Sequence, residues 1–329
     1  IKMFNIAIRK IMSSQITNTI LMVRPLSFGY NEQTAINNYY QKNLNLSSKD
    51  IQRRALSEFD NFVINLKQNG VNVIVIEDVS KGETPDSIFP NNWISTHADG
   101  SIWLYPMCSA NRRVERRQDI IDFLKNSFHV KNIFNNASVH ELNNQFLEGT
   151  GSMVLDRENQ IAYASLSQRT NCVLFKDWCK KMNFEPVFFQ AQDSGKPIYH
   201  TNVLMSICQD IVFICLDAIC EPNEQDKLLS FFHDTGKEII DISKSQMNSF
   251  LGNVLELKNN DNEPILVMSS SAFNVLTVNQ KFKMNKKYTI IHSSLKTIEY
   301  FGGGSARCMI TELFLDSNYG PQLKYPILS

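Results

Sequence analysis

The chain has 329 residues, with 33 basic and 33 acidic side chains and a formal net charge of zero. Hydrophobic residues make up 43% of it, enough to fill the core of one large domain or two ordinary ones. The neutral balance supplies no global field for nucleic acid or a membrane surface, and no apolar run is long enough to cross a bilayer.

Residues 1–11 are basic and apolar without an acid, and read as an N-terminal extension or leader; residues 12–329 read as a single domain. Thr19 to Pro25 reads as a strand stopped by proline. Apolar residues at 51, 55, 56, 59, 62, 63 and 66 have helical spacing, and Asn69-Gly70 ends that helix. Val71 to Ile76 is a β-branched run. Ser87 to Ser95, a turn at Asp99-Gly100 and Ile102 to Tyr105 suggest a hairpin, followed by a charged helix from Arg112 to Ser127.

The pattern then recurs. Gly151 to Leu155 and Ile161 to Ala164 flank a polar turn, with a helix over Cys172 to Met182. His200 to Ile207 and Ile211 to Leu216 flank another, with a helix near Glu224 to Thr235. A fifth unit holds strands at Ile265 to Met268 and Thr289 to His292 around a partly helical middle. A sheet-and-helix unit repeating about every 45 to 65 residues points to a radial or solenoid architecture.

Seven cysteines, at 108, 172, 179, 208, 215, 220 and 308, form no CxxC pair. Neither a zinc site nor a redox motif is indicated, and a reducing, cytoplasmic compartment is expected. The last cysteine follows three consecutive glycines in Gly302-Gly303-Gly304-Ser305-Ala306-Arg307-Cys308. Glycines let the backbone approach a ligand closely, and a neighbouring cation favours the nucleophilic thiolate. The bland alternative is a turn before a buried cysteine.

Other segments carry candidate chemistry. In Phe146-Leu147-Glu148-Gly149-Thr150-Gly151 an acid sits among apolar residues, where a carboxylate needs a partner; the alternative is a surface turn. Tyr199-His200-Thr201-Asn202-Val203 offers a histidine for proton transfer, or a structural histidine at a strand start. Asp86 to Trp93, with His97 after it, and Ser165 to Asn171 are further candidates. Arg112 and Arg113 could grip a carboxylate or face solvent. Cys308, His200 and Glu148 each begin or end a strand in different units, so in a radial fold they converge as nucleophile, proton shuttle and orienting acid.

Five motifs in order, PDSIFPNNWISTH, FLEGTGSMV, SLSQRTN, YHTNVLM and GGGSARCMITEL, resemble the guanidino-group modifying enzymes, or pentein superfamily. Arginine deiminases, dimethylarginine dimethylaminohydrolases and amidinotransferases belong to it, and the amidinotransferase-like or citrulline-utilisation subgroup is the nearest match. The resemblance covers about residues 19–316. It implies a five-bladed α/β propeller of ββαβ units with pseudo-fivefold symmetry. It implies Cys308 as nucleophile, His200 as general acid and base, and Glu148 as the acid that orients histidine or substrate. Arg169 would hold the substrate's α-carboxylate, assisted by Arg112 or Arg113, and Asp86 falls in the substrate loop. No metal or organic cofactor is implied. The partner is a small ureido or guanidino compound, not nucleic acid or membrane, and a homodimer is open to the chain.

Two positions depart from the family pattern. Asn92 and Asn202 stand where arginine deiminases carry aspartate. A carboxamide offers one acceptor, two donors and no charge, which suits a neutral ureido group better than a guanidinium. The expected activity is therefore hydrolysis of citrulline or another ureido compound. Amidino transfer, or arginine and dimethylarginine deimination, is the enzymatic alternative. A ligand-binding propeller is the non-enzymatic one.

Overall fold

The computed structural model describes residues 14–43, 46–79 and 84–318. The segment 1–11 lies outside the described residues. Among the described residues five three-stranded sheets and one two-stranded hairpin carry the strands. Each three-stranded sheet pairs its first two strands antiparallel and its last two parallel.

The second sheet runs Ile94–Thr96, Ser101–Leu104, Asn132–Asn135; the third runs Val154–Asp156, Ile161–Ser165, Glu185–Phe189. The fourth runs Met205–Ile207, Ile211–Ile214, Glu238–Asp241, and the fifth Leu255–Lys258, Pro264–Ser269, Thr289–Ser293. The first sheet takes its leading strand from the far end of the chain. Thr311–Glu312 pairs antiparallel with Thr19–Arg24, which pairs in parallel with Asn72–Glu77.

Helices span the parallel crossovers, as parallel pairing requires. Ser48–Gln68 is the longest. Ser47 caps it by accepting from the Asp50 N–H, and Gly70 just past its end takes φ +80°. Its stripe of Ile51, Ala55, Phe59, Phe62, Val63 and Leu66 is buried. Each of the large side chains contributes about 1.5–3 kcal/mol to that packing. Cys172–Met182 is capped by the Asn171 side chain and closed by Asn183 at φ 58°. Pro222–Asp234 crosses the fourth sheet, and Ser270–Asn274 with Val278–Asn285 the fifth.

Three sequence expectations change. The helix expected over Arg112 to Ser127 is two pieces, Ala110–Arg113 and Gln118–Ser127. The break lets Arg112 and Glu115 turn inward as a buried ion pair at 2.8 Å. Gly151 to Leu155 and His200 to Ile207 are not strands from their first residues. Each opens on a single helical turn, Gly149–Ser152 and Thr201–Leu204, before the strand begins. Glu148 and His200 are the residues at the N-terminal boundary of those turns. The same device precedes the second sheet, as Pro90–Asn92, and the last strand, as Ala306–Met309.

Candidate active site

These short turns bring the candidate residues together. Cys308, His200, Asp86, Asn92, Arg112 and Arg169 line one narrow cleft of about 10 Å³. Phe89, Tyr199 and Gly304 form its walls. All six functional side chains are buried.

Glu148, fully buried behind His200, accepts from His200 Nε2 at 2.8 Å. Its other oxygen accepts from the Cys108 N–H at 2.9 Å, and Arg169 Nη1 lies 3.5 Å away. Burial pushes the Glu148 pKa up, but Arg169, the bond from His200 and Arg112 outweigh it and hold the carboxyl at about 2. Burial lowers His200 to about 4 against the pull of Glu148, with Arg169 and Arg112 adding to the lowering. The imidazole is thus neutral at pH 7. Facing an ionised acceptor, it carries its proton on Nε2 and leaves Nδ1 as the basic nitrogen.

His200 Nδ1 passes close to Gly151. A Cβ there would stand 2.5 Å from Asn92 Nδ2 and 2.8 Å from His200 Nδ1. Gly303, past the helix Lys296–Gly302, has φ +64°, and its Cβ would meet Asn38 at 2.6 Å. These two glycines are fixed by the site's geometry.

The Cys308 sulfur receives two carboxamide donors: Asn253 Nδ2 at 3.2 Å and Asn202 Nδ2 at 3.5 Å. Burial pushes the thiol up; the Ser305 backbone, Asn253, Arg307 and Asn202 pull it down without cancelling the rise. Arg307, the cation expected to activate the thiol, points elsewhere. It pairs with Glu312 at 2.6 Å and donates to the Ile310 carbonyl.

Asn253 was missed by sequence reasoning. Fully buried, it also donates to the Asn202 carbonyl at 2.8 Å and accepts from the Arg307 N–H at 3.1 Å. A signal existed: Asn253-Val254-Leu255 repeats Asn202-Val203-Leu204 at the matching place in the preceding unit.

The remaining candidates divide. Arg112 donates to both Glu115 oxygens, to Asn92 Oδ1 at 2.7 Å and to the Phe89 carbonyl at 3.1 Å, so it positions the loop 86–92 rather than presenting free donors. Asn92 is engaged at both ends, since its Nδ2 donates to Asn91 Oδ1 at 3.0 Å. Arg169 donates to Asn37 and to the Thr34 carbonyl at 2.9 Å, and stacks 4.8 Å over the Tyr199 ring. Arg113 is not brought to the cleft; it donates to the Met107 and Cys108 carbonyls and leans towards Glu141.

Asp86 differs from all of these. Its Oδ2 accepts from Asn31 at 2.7 Å and Thr34 at 3.1 Å, while its buried Oδ1 has no partner among the described residues. Asn202 Oδ1 is likewise buried and unpartnered. Burial raises the Asp86 pKa; Arg112, Asn31, Arg169 and Thr34 oppose it.

A strap over residues 31–41 closes the cleft. Besides Asn31, Thr34 and Asn37, it places Asn38 and Gln41 side chains on the Gly302 carbonyl at 3.0 and 3.1 Å. Among the described residues no group of histidines, cysteines and acids could hold a metal ion.

Residues 24–315 match the model of a family described as N,N dimethylarginine dimethylhydrolase, eukaryotic. No curated protein matches the chain in a direct sequence comparison. Among solved structures, apo ArgZ, an arginine dihydrolase from the ornithine-ammonia cycle in Cyanobacteria, superimposes with TM-score 0.69 at 18% identity, over 90% of this chain and 40% of that one. The substrate-bound N-terminal domain of ArgZ gives TM-score 0.69 at 18% identity, over 90% and 99%. The Pseudomonas aeruginosa DDAH in complex with citrulline gives 0.62 at 12% identity, over 91% and 100%. The chain therefore spans 40% of full-length ArgZ. At these identities the likeness is one of fold, a mixed α/β architecture shared with guanidino-modifying enzymes.

Proposed function

The chain belongs to the eukaryotic N,N dimethylarginine dimethylhydrolase family, within the guanidino-group modifying enzymes, and on that premise we propose that it hydrolyses a terminal C–N bond of an arginine-type guanidino compound through an adduct on Cys308. The carrying observation is Asp86 Oδ1, a buried carboxylate oxygen without a partner beside the cleft's thiol and imidazole. A guanidinium has only donors and a positive charge, and this oxygen accepts both. A ureido oxygen would instead need a donor, and Arg112 and Arg169, the charged donors of the cleft, are spent on protein acceptors. Asp86 therefore makes a methylated or free arginine the favoured substrate over citrulline.

The reaction then runs on the chain's own residues. The bound cation offsets the desolvation of Cys308, and Asn253 and Asn202 hold the forming thiolate. The sulfur attacks the central guanidino carbon, and a C–S bond forms. His200, oriented by Glu148, takes the Cys308 thiol proton on Nδ1 as the sulfur attacks and passes it to the departing amine, and the C–N bond breaks. His200 next takes a proton from water, which adds to the same carbon. Cleavage of the C–S bond releases a ureido product and restores the thiolate. From N,N-dimethylarginine the products are citrulline and dimethylamine.

We read the five sheets as blades of a five-bladed α/β propeller forming one catalytic domain over residues 12–329. The shared pairing pattern and the capture of Thr311–Glu312 by the first sheet support that reading.

Purified protein incubated with N,N-dimethylarginine, arginine, agmatine and citrulline tests the assignment. Release of dimethylamine or ammonia from a guanidino substrate, abolished in Cys308→Ala, is the expected outcome. Turnover of citrulline alone would overturn it.

A further inference from the structure

Behind the strap lies a groove of about 670 Å³, separate from the catalytic cleft and within the range of small-molecule sites. Its walls come from the strap (Tyr39, Tyr40, Lys42), the hairpin 192–197, the turn 248–250 and the helix Lys296–Gly302.

Three lysines face it, Lys42, Lys196 and Lys296. Among the described residues the lysine ion pairs involve Lys181, Lys237, Lys283 and Lys287 instead. The two acids of the groove are occupied. Asp193 accepts from Asn248 at 3.1 Å, and Glu299 from Ser271 at 2.6 Å and Ser305 at 2.7 Å. The lining thus carries three ammonium groups against two carboxylates, and none of the three ammonium groups is in an ion pair among the described residues.

The groove also offers rings. Lys196 lies 4.2 Å over Tyr39 and Lys42 5.8 Å over Tyr300. Tyr40 packs 5.8 Å from Phe250 and 6.2 Å from Tyr199, and its buried hydroxyl has no partner among the described residues. Ammonium groups for a phosphate and an aromatic lining for a planar ring describe one ligand class.

We propose that this groove binds a small anion carrying a planar ring, of the nucleoside monophosphate type, and that its occupancy holds the strap closed over Cys308. The coupling follows from shared walls. Lys42 N–H donates to the Tyr300 carbonyl at 2.8 Å, and Glu299 bonds Ser305, whose carbonyl receives the Cys308 N–H at 3.0 Å. A ligand that fixes Lys42 and Lys296 fixes the strap against the glycine loop.

Calorimetric titration of the full chain with AMP, adenosine and inorganic phosphate tests the site, and the iodoacetamide alkylation rate of Cys308 tests the coupling. Neither readout depends on the proposed activity. AMP is expected to bind about tenfold more tightly than phosphate or adenosine. Lys196→Ala and Lys296→Ala, exposed positions outside the catalytic cleft, are expected to weaken AMP several-fold. Saturating AMP is expected to slow alkylation of the wild type several-fold and that of the lysine variants less. Absence of AMP binding, phosphate binding as tightly as AMP, lysine variants that bind normally, or an alkylation rate indifferent to AMP would each overturn the proposal.

Discussion

Asn253 gathers three hydrogen bonds onto one buried carboxamide, one of them to the Cys308 sulfur. Removing a donor to a charged group costs about 1.5–3 kcal/mol. Asn253→Ala is therefore expected to raise the Cys308 pKa, read as an upward shift in the pH profile of alkylation, and to lower kcat/KM by one to two orders of magnitude. An unshifted profile would remove Asn253 from the account. Gly151→Ala forces a Cβ within 2.8 Å of His200 Nδ1. It is expected to cost about 1–3 kcal/mol of stability and nearly all activity, while circular dichroism stays native-like. The acid pair sets a stability limb. The unfolded chain protonates histidine at 6.5, whereas folded His200 resists to about 4. Glu148 falls from 4.5 to about 2 in the fold. Both groups bind fewer protons folded than unfolded, so stability is full above pH 6.5 and falls with pH, through His200 down to 4 and through Glu148 below that. Calorimetric Tm values between pH 6.5 and 4 should fall less steeply for His200→Gln than for the wild type.

At the scale of elements, periodicity exposed the long helices. The stripe from Ile51 to Leu66 and the helix Cys172–Met182 appear where their spacing places them, because a wide apolar face determines both. The last strands of the second, third and fourth sheets were harder. Asn132–Asn135 is mostly exposed and polar, so no period-2 pattern marks it. The helical turns that carry Glu148 and His200 were read as strands because the apolar residues that follow continue into β structure. The strap 31–41 had no signal at all: its contacts are side-chain hydrogen bonds to residues far along the chain. The cleft bordered by the strap holds only about 10 Å³, so strap movement is the expected route for substrate entry. Asn38→Ala and Gln41→Ala each remove a bond to the Gly302 carbonyl, worth about 0.5–1.5 kcal/mol. Each is expected to speed Cys308 alkylation several-fold; an unchanged rate would mean the strap is not the barrier.

At the scale of the molecule, five recurrent units were legible in the sequence, and five three-stranded sheets are present. What the sequence hid was the leading strand of the first. The pairing of Ile20 with Glu312 and Leu21 with Thr311 joins residues almost the whole chain apart, and no local pattern encodes it. The closing strand also follows directly on the turn Ala306–Met309 that holds Cys308. Thr311→Pro should therefore lower Tm strongly, by about 3 kcal/mol or more in stability, and disturb the thiol as well. The residues of chemistry were legible as types in motifs, and their partition into binders and supports was not. Arg112, Arg113 and Arg169 look alike in sequence, and only their partners separate them.

The central claim is a covalent adduct on one particular thiol. Acid-quenching the enzyme during turnover of N,N-dimethylarginine and mapping the adduct by peptide mass spectrometry tests it directly. The account expects a thiouronium on Cys308 alone, its sulfur joined to the guanidino carbon that still carries the amino-acid side of the substrate after dimethylamine has left. An unmodified Cys308 under turnover, or an adduct on another cysteine instead, would contradict it.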